Sequence, residues 1–173
     1  MSNVFILDAF WVDKNPFPSV IDRSSKVGQI LYSEYSGTAR YLGWMDMIQL
    51  KELVYKNHIS HIILKNLDIL GRMAQVNGHV DVCSFYMKKR FIICKAPDKK
   101  DLKGCKPLYR TVEYGGWDFS LDDPDIPERA KYYMQFLLLN TGVSSIIYST
   151  HKVRVTVSIC DKNRTKFEIE QLE

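Results

Sequence analysis

The chain has 173 residues and a mass of 20.1 kDa, with 46% hydrophobic residues, 25% charged residues and a net charge of +4. That composition belongs to a globular domain able to bury about 70% of its unfolded surface without disulfides or metals. It excludes a disordered regulator, a small disulfide scaffold, a collagen-like fibre and a coiled coil, and no run of about 18 apolar residues offers a transmembrane helix.

Residues 3–12 (NVFILDAFWV) read as a strand, apolar on both sides. The prolines of Asn15-Pro16-Phe17-Pro18-Ser19 forbid helix and make an extended linker or exposed arm. Residues 26–35 (KVGQILYSEY) lean to strand, and Ser36-Gly37-Thr38 is a turn signal. Two helices are expected next, Trp44–Lys56 and Ile59–Gln75, broken at Asn57-His58. In the second, Ile59, Ile62, Ile63, Leu67, Leu70 and Ala74 form a stripe, with Lys65, Asp68 and Arg72 away from it. Asn77-Gly78 closes it, both residues tolerating the left-handed conformation.

Residues 79–95 alternate as a hairpin with Lys88-Lys89 at its tip. Residues 96–107 read as an exposed loop, and 108–114 (LYRTVEY) as a short strand ending at Gly115-Gly116. An acidic stretch with Asp118, Asp122, Asp123 and Asp125 leads to Pro127, which suits a helix start, and that helix runs to about Asn140. The last third reads as strands: SSIIYS, HKVRVTVSICD and TKFEIEQL. Val153, Val155, Val157 and Ile159 alternate with Lys152, Arg154, Thr156 and Ser158, a two-residue period with one buried face. The expected fold is α+β: a single compact domain, mostly antiparallel sheet, with about three helices and an extended N-terminal arm. Residues 1–22 make the strand and proline-bearing arm, and residues 23–173 the globular domain.

Charge is unevenly spread. Residues 88–110 hold nine basic residues against two acids, a local +7, while the rest of the chain carries −3. Like charges so concentrated repel one another unless an anion lies opposite, and phosphates of nucleic acid or lipid headgroups are the usual anions. The expected anion-, membrane- or RNA-binding residues are Lys88, Lys89, Arg90, Lys95, Lys99, Lys100, Lys103 and Lys106. Phe85, Tyr86, Phe91 and Tyr109 surround the tip and suit base stacking or a sheet core equally.

Other chemistry is thinly supported. His79, Cys83, Cys94 and Cys105 are soft ligands, but their spacing is not that of a zinc finger or ribbon, and no metal is expected. His58, His61, His79 and His151 are the available bases, without a G-x-S-x-G elbow. The Asp122-Asp123-x-Asp125 cluster lacks the glycine and distal glutamate of a calcium loop. No GxGxxG or Walker loop occurs. No signal peptide, myristoylation glycine or CaaX box is visible, so a reducing cytosolic compartment is the default.

Three segments resemble rhabdovirus matrix proteins, especially the plant-infecting cytorhabdovirus type. HKVRVTVSICDKN resembles that family's penultimate strand, the basic hairpin and loop at 88–106 its lipid- and nucleocapsid-facing surface, and Phe17-Pro18-Ser19-Val20 its FPxV late-budding motif. The resemblance implies a non-enzymatic virion structural protein that self-associates and bridges an anionic membrane and ribonucleoprotein. Phe10, Trp11, Phe17, Pro18 and Val20 would form a self-association arm entering a neighbour's groove. The implied partners are the chain itself, an anionic lipid surface, and viral nucleocapsid or RNA, with no cofactor and no small-molecule substrate. The implied location is the virion and the host cytoplasm and membrane periphery. Two other readings stand beside it: a viral or phage nucleic-acid-binding regulator using the same basic hairpin, and an enzyme with a pocket at His58, His61 or the Asp122 cluster.

Overall fold

A computed structural model of the protein describes residues 2–38, 41–161 and 164–173. Met1 of the expected arm, and Lys162 and Asn163 of the HKVRVTVSICDKN segment, lie outside the described residues.

The architecture starts from the apolar runs of the sequence. Strands β1 (Asn3–Asp8), β5 (Ile59–Lys65) and β9 (Ser145–Ser149) pair in parallel, and β10 (Val153–Ile159) and β11 (Thr165–Gln171) extend the sheet antiparallel, in the order β1-β5-β9-β10-β11. A short ribbon joins β2 (Trp11–Asp13) to β3 (Tyr41–Gly43). A second sheet centres on β6 (His79–Lys88), with β4 (Met45–Asp46) parallel to it and β7 (Phe91–Ile93) and β8 (Lys106–Tyr114) antiparallel. Among the described residues four α-helices accompany these sheets: α1 (Lys26–Glu34), α2 (Met47–Lys56), α3 (Leu67–Asn77) and α4 (Glu128–Thr141). The α+β class holds, while the sheets are mixed rather than mostly antiparallel and one more helix is present than expected.

Two segments differ in type from the sequence reading. Residues 26–34 are helix α1, not strand: the Ser25 hydroxyl caps the helix by accepting from the Gly28 N–H at 3.0 Å. Residues 59–65 are strand β5, not the first half of a helix. Their β-branched run fits a pleated sheet, and the switch to helix comes at Asn66, which takes the left-handed conformation at φ 58°. The helix expected from Trp44 begins at Met47, where the buried Asp46 carboxylate accepts from the Ile48 and Gln49 N–H groups at 3.1 Å each. The Tyr86 hydroxyl and the Gln49 amide donate to its other oxygen, so this buried carboxylate is fully partnered.

One core joins the large sheet to the helices. Leu7, Ile62, Leu64, Ile146, Val155 and Val157 face it from the strands; Leu50, Leu70, Met73, Met134 and Leu137 face it from α2, α3 and α4. The expected alternation of β10 holds from Val153 to Val157, with Val153, Val155 and Val157 buried and Arg154 exposed, but Ile159 at the strand's end, expected on the buried face, is exposed. Two buried polar ties bear on the site below. The Trp117 indole N–H donates to the Leu67 carbonyl at 2.8 Å, holding the start of α3. The Tyr133 hydroxyl on α4 donates to the Ala9 carbonyl at 2.6 Å, just past the end of β1.

Candidate functional site

In sheets with parallel strands, ligands settle at the carboxyl ends of those strands, where loops part to either side. Here β1, β5 and β9 end together at Asp8, Lys65 and Ser149. The Asn66 side-chain amide donates to the Asp8 carboxylate at 2.6 Å, and the Ala9 N–H donates to the Lys65 carbonyl at 2.8 Å. The chain then enters α3 with no side chain capping its first N–H groups. Asp68 lies in that first turn, where the positive end of the helix favours a carboxylate.

Asp68 is held from behind. Arg72, one turn on, donates to the Asp68 carboxylate at 3.2 Å, and its Nε donates to the Glu34 carboxylate at the end of α1 at 2.7 Å. Asp68 is thus oriented yet keeps 20% of its side chain exposed. Tyr148 on β9 lies close enough for the Asp68 charge to add to burial in raising its hydroxyl pKa. After β9 the Thr150 hydroxyl accepts from the Lys152 and Val153 N–H groups at 3.2 Å each, turning the chain back into β10.

A cleft of about 520 Å³ opens beside the end of β1, walled by Phe5, Asp8, Trp11, Tyr35, Thr38 and Leu53. Burial raises the Asp8 pKa above its ordinary value, and the Asn66 hydrogen bond and the Lys65 charge only partly offset that. Burial raises Tyr35 as well, with the Asp8 charge adding to it. The edge therefore carries carboxylate acceptors, an amide and a helix start that no side chain caps. That set matches a ligand presenting N–H donors and anionic oxygen.

The residues singled out from sequence lie elsewhere. Lys88 ends β6, Lys89 and Arg90 form the turn to β7, Lys95 follows β7, Lys99 and Lys100 sit in a single 3-10 turn, Lys103 follows it, and Lys106 opens β8. All but the half-buried Lys88 are exposed. Lys88 alone of the eight has a carboxylate within reach among the described residues, Asp101 at 3.8 Å. Phe10, Trp11 and Phe17 are buried in this chain's own core. Pro18 is half-buried, and Val20 forms an isolated bridge with Gly43. The two groups meet in one groove of about 780 Å³, where Lys99 and Lys103 face Phe17 and Pro18.

Of the other candidates, His61 shares a 2.7 Å hydrogen bond with Ser145, His79 one of 2.9 Å with Asp81, and Asp125 accepts from Lys131 at 2.8 Å. The sequence reading does not single out Asp8 or Asn66, and it places Asp68 only on the polar side of the expected second helix. The signal that would have found Asp68 is a β-branched run followed by Asn-Leu-Asp, a strand entering a helix.

The arrangement is that of an α+β protein with a candidate ligand edge at the carboxyl ends of its parallel strands. The chain belongs to the adenylosuccinate synthetase family, whose profile fits residues 12–157. It is 30% identical over 147 residues to the adenylosuccinate synthetase of Clostridium kluyveri, covering 78% of this chain and 33% of that protein. It is 28% identical over 166 residues to that of Lawsonia intracellularis, covering 90% of this chain and 36% of that protein. The fold resembles the solved structure of fully ligated adenylosuccinate synthetase from Plasmodium falciparum, with a TM-score of 0.64 and 20% identity over 83% of this chain and 37% of that one. The chain spans about a third of the length of the curated relatives it matches.

Membership in a family of synthetases, found in cellular organisms, overturns the resemblance to rhabdovirus matrix proteins. It removes the non-enzymatic reading, the virion location and the lipid, nucleocapsid and RNA partners, and the nucleic-acid-binding regulator with them. The expected absence of a small-molecule substrate is corrected as well, because the name of the relatives' activity is the making of one. The physical cause of the error is that local charge and a two-residue period are shared by many sheet proteins, and fold alone does not carry function.

Proposed function

We propose that this chain supplies the base-binding part of an adenylosuccinate synthetase, taking a purine nucleotide at the carboxyl ends of β5 and β9. The reading rests on its family and on one observation above all: the Asp68 carboxylate, partly exposed at the strand edge and fixed by Arg72 and Glu34. A carboxylate accepts two parallel hydrogen bonds from adjacent donors. Among purines, guanine presents such a pair, its ring N1–H beside its 2-amino group. Hypoxanthine presents only the ring N–H, and adenine has no ring N–H on that edge. Phosphates would be gripped by another part of the synthetase fold, since the sequence holds no glycine-rich phosphate loop.

The test is a binding series with GTP, ITP and ATP, followed by calorimetry on the full chain. The expected order of affinity is GTP, then ITP, then ATP. Equal binding of all three, or binding of none, would overturn the proposal.

A further inference from the structure

A second concave surface lies on the small sheet. Strands β6 and β8 meet helices α2 and α4 around a hollow of about 180 Å³. Lys51 of α2 and Arg110 of β8 are its cations, Phe85, Tyr109 and Phe136 its aromatic walls, and Ser84 adds a hydroxyl. No carboxylate lines it, and neither cation has an ion pair among the described residues. The acid farther along β8, Glu113, is engaged with Arg129 at 3.7 Å instead. Arg110 is held in place, its guanidinium lying over the Phe136 ring at 5.4 Å from the centroid. Two like charges at one hollow repel each other, and an anion between them relieves both.

The hollow continues into an apolar patch. Phe85 pairs with Leu108, and Met87 pairs with Lys106 on one side and Ile92 on the other. Side chains paired across strands share a face. Phe85, Met87, Ile92 and Leu108 therefore form one patch on the sheet, with Lys106 at its border. Ile92 is 67% and Phe85 45% exposed. Phe85 and Leu108 also line the hollow, which joins the two features. Arginine and aromatic side chains beside exposed apolar surface are the composition of protein interfaces.

We propose that this surface docks an acidic segment of a partner protein. One carboxylate of the segment enters between Lys51 and Arg110, and its apolar neighbours lie on Phe85, Met87, Ile92 and Leu108. Charge complementarity names the occupant, and size narrows it. Pockets for whole small molecules run to about 300–1,000 Å³, so this hollow takes a side chain rather than a free ligand. The guanidinium fork of Arg110 fits both oxygens of a carboxylate at once. The surface is independent of the base site proposed above.

The test is fluorescence anisotropy of the full chain with a capped, fluorescein-labelled peptide in which two glutamates stand between leucines. Saturable binding is expected, weakened about tenfold when glutamines replace the glutamates or when the protein carries Arg110→Gln. Serines in place of the leucines, or Ile92→Ser in the protein, should also weaken it about tenfold through lost apolar burial. Arg110 and Ile92 are exposed, so both variants keep the fold. Lys100→Gln removes the same charge from the 3-10 turn and should leave the affinity unchanged. Equal losses from Arg110→Gln and Lys100→Gln would reduce the effect to diffuse attraction and overturn the proposal. Equal binding of the glutamine peptide, or no saturable binding, would overturn it too.

Discussion

Replacing Asp68 by Asn tests the base site where its chemistry is most exposed. Asn keeps the shape and one acceptor but swaps the second acceptor for an N–H donor, which would face the guanine donors. A hydrogen bond to a charged group contributes about 1.5–3 kcal/mol, so GTP affinity should fall roughly 10- to 150-fold. ATP affinity should barely change. XTP, whose base offers a carbonyl where guanine has its amino group, should gain on GTP. The structural cost is smaller. The Asp68–Arg72 pair is one helical turn apart at 3.2 Å, and such a pair contributes about 0.3–0.5 kcal/mol. The first-turn position adds about 0.3–1 kcal/mol. The total is about 1 kcal/mol, a shift of about 0.5 M in a urea midpoint. Calorimetry with the three nucleotides and urea unfolding of both proteins give the two numbers separately. A uniform loss across GTP, XTP and ATP would refute base reading by Asp68, because a merely loosened helix start does not distinguish bases.

Three further predictions concern the frame around the site. Burial raises the pKa of Asp46 above its ordinary value of 3.8, so the folded protein holds a proton there that the unfolded chain has released. Stability should therefore fall as pH rises from about 4 through the folded-state pKa and then level off, and Asp46→Asn should flatten that part of the curve in urea titrations at a series of pH values. An unchanged slope in the variant would assign it to other groups. Trp117→Phe removes the donor to the Leu67 carbonyl and should cost about 1–3 kcal/mol by urea unfolding; a variant as stable as the parent would show that the bond does not hold α3 in place. Gly71→Ala adds a methyl group against the Trp117 ring and backbone carbonyl. Overpacking of about 1–3 kcal/mol should outweigh a helix-propensity gain of about 1 kcal/mol, leaving a net loss, and a higher urea midpoint would contradict it.

Much of the architecture was legible in the residues because period and punctuation agree there. The strict alternation of β10, the stop at Asn77-Gly78 and the Pro127–Glu128 start of α4 each have a local physical cause. Segments 26–34 and 59–65 misled because short apolar runs fit helix and strand alike. Ile59, Ile62 and Ile63 sit at helical spacing by accident; their β-branching and the following Asn66 were the better guides. The Ser25 cap was also there to be read, ahead of Lys26–Glu34. The acidic run is loop chemistry: Asp123 accepts from the Ser120 N–H at 2.8 Å and Asp125 from the Ile126 N–H, while α4 starts with no side chain capping it. The site was far less legible. Asp8, Asn66 and Asp68 come from two strands' ends and a helix start, and Glu34 and Arg72 are 38 residues apart. Only pairing β1 with β5 brings the first three together, and no window of sequence contains that pairing.

The basic segment shows the converse. Its charge is the strongest pattern in the sequence, and the coordinates leave most of it in solvent without carboxylate partners among the described residues. Charge density reports how a surface meets water and anions in general, and it does not choose among lipid, nucleic acid and nucleotide. Choice needs direction: an acceptor fixed at a set distance from its neighbours so that one arrangement of donors fits and others do not. The base reading proposed for Asp68 draws on such direction, since Arg72 and Glu34 restrain the carboxylate and α3 starts abruptly at a left-handed Asn66. Asn66 in turn is tied to Asp8 at the end of the neighbouring strand. One residue thus converts strand into helix and links two parallel strands at their carboxyl ends. The specificity proposed for this edge would follow from backbone geometry that a count of charges does not register.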